Sequence, residues 1–227
     1  MPVFLHASRL CSVNFVVSRC WLWIGVLACF PALGGEPALD SLLKGVENRY
    51  NRTKTLQVLF SESYTGTGQT RRTESGLLLL SKPGRMRWEY SEPKGKLFVS
   101  DGKTLWLYTP AGNRAEKMSL KDTGDMRAPL AFLLGKLNFN KEFRNIQWKT
   151  EGPSTRITAE PAVENLPYTA VEFLVTPDSR IEEVAVTGYD RSVIRFRFDG
   201  EKLGPALDSK IFRYQPPPGV EVVAAEQ

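Results

Sequence analysis

From Arg85 to Tyr90 the chain alternates residue by residue: Met86, Trp88 and Tyr90 fall on one side, Arg85, Arg87 and Glu89 on the other. A two-residue period this regular belongs to a β-strand with one face buried and one in water. The pattern returns at Ile194, Phe196 and Phe198, which oppose Arg195 and Arg197. A chain that repeats it must build a sheet with an apolar face and then cover that face.

Other segments read in the same way. Leu56, Val58 and Phe60 alternate with polar partners. Ser75–Ser81 holds four consecutive leucines, a run expected of a strand covered on both faces. Leu97–Ser100 and Thr104–Tyr108 flank Asp101-Gly102, a strong hairpin signal. Further strands are predicted at Thr155–Ala159, Ala170–Val175, Ile181–Thr187, Val193–Phe198 and Ile211–Tyr214. Two segments read as helices. Leu39, Leu42, Leu43, Val46 and Tyr50 recur at helical spacing behind Pro37. Pro129–Gly135 opens with Pro, closes with Gly and is apolar nearly all round, so it must lie between layers or cover something apolar. The fold class is therefore mainly β with short helices, and periodicity leaves a sandwich and a barrel both open.

Composition narrows the function. The 227 residues include one histidine and three cysteines, and His6, Cys11, Cys20 and Cys29 all fall in the first thirty-four positions. That stretch carries Arg9 and Arg19, no acidic residue, an apolar run from Trp21 to Phe30, and then Pro31-Ala32-Leu33-Gly34. A basic start, a short apolar run and a small-residue cleavage site make a Sec-type signal peptide (1–34) with cleavage near Gly34. Residues 35–227 would then form one domain with neither His nor Cys. Such a domain has no Ser-His-Asp relay, no thiol nucleophile and none of the usual zinc, copper or haem ligands. Without Arg9 and Arg19 the net charge falls from the full chain's +5 to +3, mild and dispersed, so no nucleic acid partner is expected. A rival reading of the leader takes Val26-Leu27-Ala28-Cys29 as a lipoprotein box with Cys29 acylated.

Short motifs add no chemistry. Ser41-Leu42-Leu43-Lys44 matches the S-x-x-K of serine acyltransferases, but Lys103-Thr104 is followed by Leu105 rather than the required Gly. Gly66-Thr67-Gly68 lacks the third glycine of a dinucleotide fingerprint. Asp122 and Asp125 lack the spacing of a calcium loop. Glu182 and Glu183 are expected on opposite faces of a strand, where they cannot act as a pair. No enzymatic activity, metal or cofactor is expected.

Three segments together resemble a known family. They are Ser75–Tyr90, Leu97–Tyr108 with its Ser100-Asp101-Gly102-Lys103-Thr104-Leu105-Trp106 string, and the tail Pro216-Pro217-Pro218-Gly219-Val220-Glu221-Val222. They look like the LolA family of periplasmic outer-membrane lipoprotein carrier proteins, and the strand at Leu56–Phe60 and the apolar helix at Pro129–Gly135 occur in the family's order. The resemblance implies an unclosed antiparallel β-barrel, a half-barrel with a helical lid over an apolar cavity. It implies a monomeric periplasmic chaperone that takes acylated lipoproteins from an inner-membrane ABC transporter and passes them to an outer-membrane lipoprotein receptor. The expected cavity wall is Met86, Trp88, Tyr90, Trp106, Phe173, Ile194, Phe196 and Phe198. The expected lid is Leu39, Leu42, Leu43 and Val46 with Leu130, Phe132, Leu133 and Leu134. The family places a basic residue, usually Arg, before the Pro of the second strand, where it bonds to the lid helix. Here that residue is Lys82, which lacks the planar fork of Arg, so either a weaker latch or a latch shared with Arg85 is expected. Alternatives on the same fold are a Cys29-acylated acceptor or lipid-sensing regulator, and a transporter of glycolipid or other lipid.

Overall fold

The alternating segments pair into one antiparallel sheet whose two halves meet at the first strand. The computed structural model describes residues 36–66, 72–119, 136–164 and 166–224, all within the unit Gly34–Gln227. The leader, Asp122 and Asp125, and the Pro129–Gly135 segment with Leu130, Phe132, Leu133 and Leu134 lie outside the described residues.

Helix α1 (Glu36–Arg52) leads into β1 (Thr55–Thr65), β2 (Arg72–Ser81), β3 (Arg85–Glu92), β4 (Leu97–Asp101), β5 (Thr104–Thr109) and β6 (Arg114–Ser119). A four-residue helix α2 (Phe139–Glu142) precedes β7 (Phe143–Glu151), β8 (Ser154–Pro161), β9 (Tyr168–Val175), β10 (Ile181–Gly188), β11 (Val193–Leu203) and β12 (Glu221–Ala224). The strand order is β12-β6-β5-β4-β3-β2-β1-β11-β10-β9-β8-β7. β1 is thus the seam: it pairs β2 on one side and β11 on the other, the latter from Leu56 opposite Leu203 to Thr65 opposite Val193. Among the described residues, the one parallel pairing is that of β12 with β6. The ends β12 and β7 make this an open, curled sheet rather than a closed barrel.

One face gathers the core. Val58, Phe60, Leu78, Leu80, Met86, Trp88, Phe98 and Leu105 from one arm join Ile157, Phe173, Val184, Phe196 and Phe198 from the other in a single buried cluster. α1 lays Leu43, Val46 and Tyr50 into that cluster, with Leu39 and Leu42 packed at its edge, as the helical spacing predicts.

The second face has its own cover. The segment expected as a strand at Ile211–Tyr214 is instead a 3-10 turn at Ser209–Phe212, capped by the Asp208 side chain accepting from Lys210 N at 2.9 Å. The reason is tertiary: Phe212 is buried, Tyr214 stacks near Trp106 and Tyr108, and Arg87 donates to the Ile211 carbonyl at 3.0 Å. The turn is pinned to the sheet by side chains rather than paired to it. The four leucines also differ from expectation. Leu78 and Leu80 are buried, whereas Leu77 and Leu79 are half-exposed on the convex face, so only one side of β2 is sealed.

Candidate functional site

The concave face is apolar and aromatic over most of its extent. Phe60 meets Trp88 edge-on at 4.8 Å, Trp88 lies 5.7 Å from Phe196, and Phe196 stacks in parallel with Phe198 at 6.4 Å. Further along, Phe173 is gripped by Phe139 and Phe143 at 5.3 and 5.5 Å. Of the residues expected to form the wall, Met86, Trp88, Phe173, Phe196 and Phe198 are buried here, and Tyr90 and Ile194 pack at its margin.

Trp106 does not belong with them. It pairs with Val99, one step out of phase from Leu105, and faces Tyr214 on the convex side at 5.6 Å. The cause is the pleat: Leu105 and Leu107 take the inward positions of β5, so Trp106 must point out. Arg85 is out of phase with Met86 for the same reason. Its stem lies beside the Asp101-Gly102 turn on the convex face, so it cannot share a latch with Lys82.

Lys82 itself reaches the helix. Its Nζ donates to the Tyr50 carbonyl at 2.8 Å, in the last turn of α1, where a cation complements exposed carbonyls. Burial lowers its amine from the ordinary value of 10.5 to about 8. A network not legible in the sequence holds the same end. Tyr50 Oη donates to Glu201 at 2.7 Å and accepts from Ile181 N at 2.9 Å. Arg49 grips the other Glu201 oxygen with Nε at 3.0 Å and Nη2 at 2.6 Å. Asn51 donates to the Leu137 carbonyl and accepts from Leu137 N, both at 2.8 Å. Glu47 accepts from Phe139 N at 2.8 Å. These partners lie 86 or more positions apart in the chain, beyond the reach of any local pattern.

The rim of the concave face is polar. Tyr90 Oη donates to Glu62 at 3.3 Å, and Lys96 pairs with Glu74 at 2.5 Å while sitting over the Tyr90 ring at 4.3 Å. Burial, reinforced by the neighbouring Glu74 charge, raises the Glu62 carboxyl above its ordinary value.

On the convex face Glu183 is buried among guanidiniums. It accepts from Arg156 Nη1 at 3.0 Å, from Arg197 Nε at 3.0 Å, and from Arg195. Glu182 was expected on the opposite face. A register shift between Ile181 and Glu183 instead turns both carboxylates toward one groove, as a bulge does. Glu182 is held there by Arg180 at 2.8 Å, so both are ion-paired carboxylates. Ser41 and Lys44 are exposed on α1.

Comparison with known proteins gives a concordant picture. The family model for the outer membrane lipoprotein carrier protein LolA matches residues 51–215. An outer-membrane lipoprotein carrier protein of Proteus mirabilis is 29% identical over 191 residues, covering 83% of this chain and 91% of that protein. One from Chromobacterium violaceum is 27% identical over 194 residues, covering 84% and 91%. Among solved structures, a LolA superfamily protein of Nitrosomonas europaea aligns at 12% identity with a TM-score of 0.44, covering 77% of this chain and 97% of that one.

Proposed function

Because this chain belongs to the LolA family, we propose that it is a periplasmic carrier that binds the acyl chains of lipoproteins against its concave face. The observation that carries the reading is the aromatic concave face of an open sheet, covered by a helix that packs apolar side chains onto it and is tied by polar contacts at one end. Burying a methylene is worth about 0.8 kcal/mol, so one long acyl chain contributes on the order of 10 kcal/mol. A carrier must also release its load. A cover that packs its own leucines onto the empty wall opposes binding by the cost of lifting it, which keeps the net affinity reversible.

In this reading Met86, Trp88, Tyr90, Phe173, Ile194, Phe196 and Phe198 form the wall. Leu39, Leu42, Leu43 and Val46, with Leu130, Phe132, Leu133 and Leu134 as the family resemblance implies, form the cover. Lys82 latches it through the end of α1. Residues 1–34 act as a cleaved export signal, and 35–227 as the carrier domain. An inner-membrane ABC transporter loads the carrier and an outer-membrane receptor unloads it. The fixed pairing of both groove carboxylates with arginine supports a binding role rather than acid/base catalysis.

Native mass spectrometry of the protein recovered from the periplasm tests this reading. The expected species starts near Gly35 and carries adducts with the mass of acylated lipoproteins. A covalently acylated Cys29 would establish the anchored acceptor instead, and adducts of free lipid alone a lipid transporter. Lys82→Leu is expected to loosen the cover and slow handover to an acceptor membrane. Transfer at the normal rate would remove Lys82 from the latch.

A further inference from the structure

Trp88 is 3% exposed, and its indole Nε1–H has no hydrogen-bond partner among the described residues. An unsatisfied buried donor is rare and calls for a reason. The Tyr168 and Tyr214 hydroxyls are also unpartnered, but a hydroxyl rotates and both donates and accepts, whereas an indole N–H only donates along one fixed direction. That direction is set by neighbours. Phe60 stands edge-on to the ring at 4.8 Å and Phe196 is tilted against it at 5.7 Å. The side chains of Phe60 and Phe196, and of Leu78 opposite Trp88 on β2, carry no acceptor. The donor therefore sits at the middle of the proposed acyl-binding wall, near the seam between the two arms.

We propose that the Trp88 indole N–H is the polar anchor of this wall, donating to a carbonyl oxygen of an ester-linked acyl chain. The inference rests on the carrier reading and adds to it the chemical class of the bound head: an acyl ester rather than a bare hydrocarbon. Among the described residues the donor is unpaired. With an acyl ester bound it is paired, so the bond is gained only on loading and favours the loaded state. An alkyl chain without a carbonyl fills the same volume but leaves the donor unsatisfied.

The test compares a diacylglyceryl lipopeptide with its dialkyl ether counterpart, in which the ester carbonyls are replaced by methylenes. Wild-type protein is expected to bind the ester form about five- to tenfold more tightly. Trp88→Phe is expected to bring that ratio close to one, whatever the change in wall packing does to the affinity for both forms. In 15N-labelled wild-type protein the Trp88 indole N–H resonance, identified by its loss in Trp88→Phe, is expected to move downfield with the ester ligand and not with the ether. An unchanged ratio in the variant, or an indole resonance indifferent to the ester, overturns the anchor while leaving the carrier reading intact. If wild-type protein binds neither lipopeptide, the carrier reading fails and the anchor with it. If Trp88→Phe does not fold, the wild-type resonance still decides the matter, identified by elimination with Trp106→Phe and Trp148→Phe.

Discussion

Glu183 has an unusual position for a carboxylate: it is 3% exposed. Burial alone would raise its carboxyl. Hydrogen bonds from Arg156 and Arg197, and the charge of Arg195, outweigh burial and hold it below the ordinary value of 4.5. A carboxyl depressed in the folded state contributes stability above its unfolded value and loses it as pH falls through the folded one. Glu183→Gln is therefore expected to cost about 2 kcal/mol near neutral pH, discounted because Arg197 and Arg195 can turn toward solvent. It should also flatten the loss of stability below pH 4.5. Urea unfolding of both proteins across pH 3 to 7, the two ends taken as roughly the range over which a carboxylate titrates, checks this, and parallel curves would refute it. Alternation in the sequence puts Glu182 and Glu183 on opposite faces and does not say which faces the core. The convergence of three guanidiniums on Glu183 requires β11, β10, β9 and β8 to follow one another in the sheet, with Arg156 reaching across β9.

At the scale of elements, α1 and the segment around Phe212 each cover one face of the sheet by different means. α1 is fixed at its C-terminal end by Tyr50, whose hydroxyl bridges Glu201 and the Ile181 amide. Tyr50→Phe leaves that buried amide unpaired and is expected to cost about 2 kcal/mol. Amide exchange in the last turns of α1 should accelerate in parallel, and unchanged exchange would mean that packing alone holds the helix. On the convex face Phe212 is 1% exposed and its segment shields Trp106 and Val99. Phe212→Ala is expected to cost about 3 kcal/mol and to shift tryptophan emission to the red. Unshifted emission would show that Tyr214 suffices. The stripe of α1 is legible because helical spacing encodes it. The turn at Ser209–Phe212 is not, because Ile211 and Phe212 read as a strand until Arg87 and Trp106 are known to lie beneath them. β6, whose Arg114–Ser119 carries few β-branched or aromatic residues, and the exposed edge β7 escape notice for a related reason. Pairing with a neighbour forms them, and neighbours are not written locally.

For the whole molecule, one buried cluster runs from Leu105 in one arm through Phe60 to Ile157 in the other. β1 serves both arms along its length, so neither arm keeps its core without it. The domain is expected to unfold in a single transition, with circular dichroism and tryptophan fluorescence giving coincident midpoints. Two separated transitions would show that the arms are independent. Local pattern dictates that a sheet forms, which faces of its clearest strands are apolar and where α1 lies, and composition leaves the chain after residue 34 without His or Cys. Those properties follow from periods of 2 and 3.6 and from composition, each contained in a few neighbouring residues. Strand pairing and packing across the fold set the rest: β1 joins the arms, Trp106 and Arg85 face outward, Glu182 turns beside Glu183, and Glu201 ties down α1. Each depends on a pleat phase, a bulge or a contact across many tens of residues, and those are fixed by how strands pair and side chains pack.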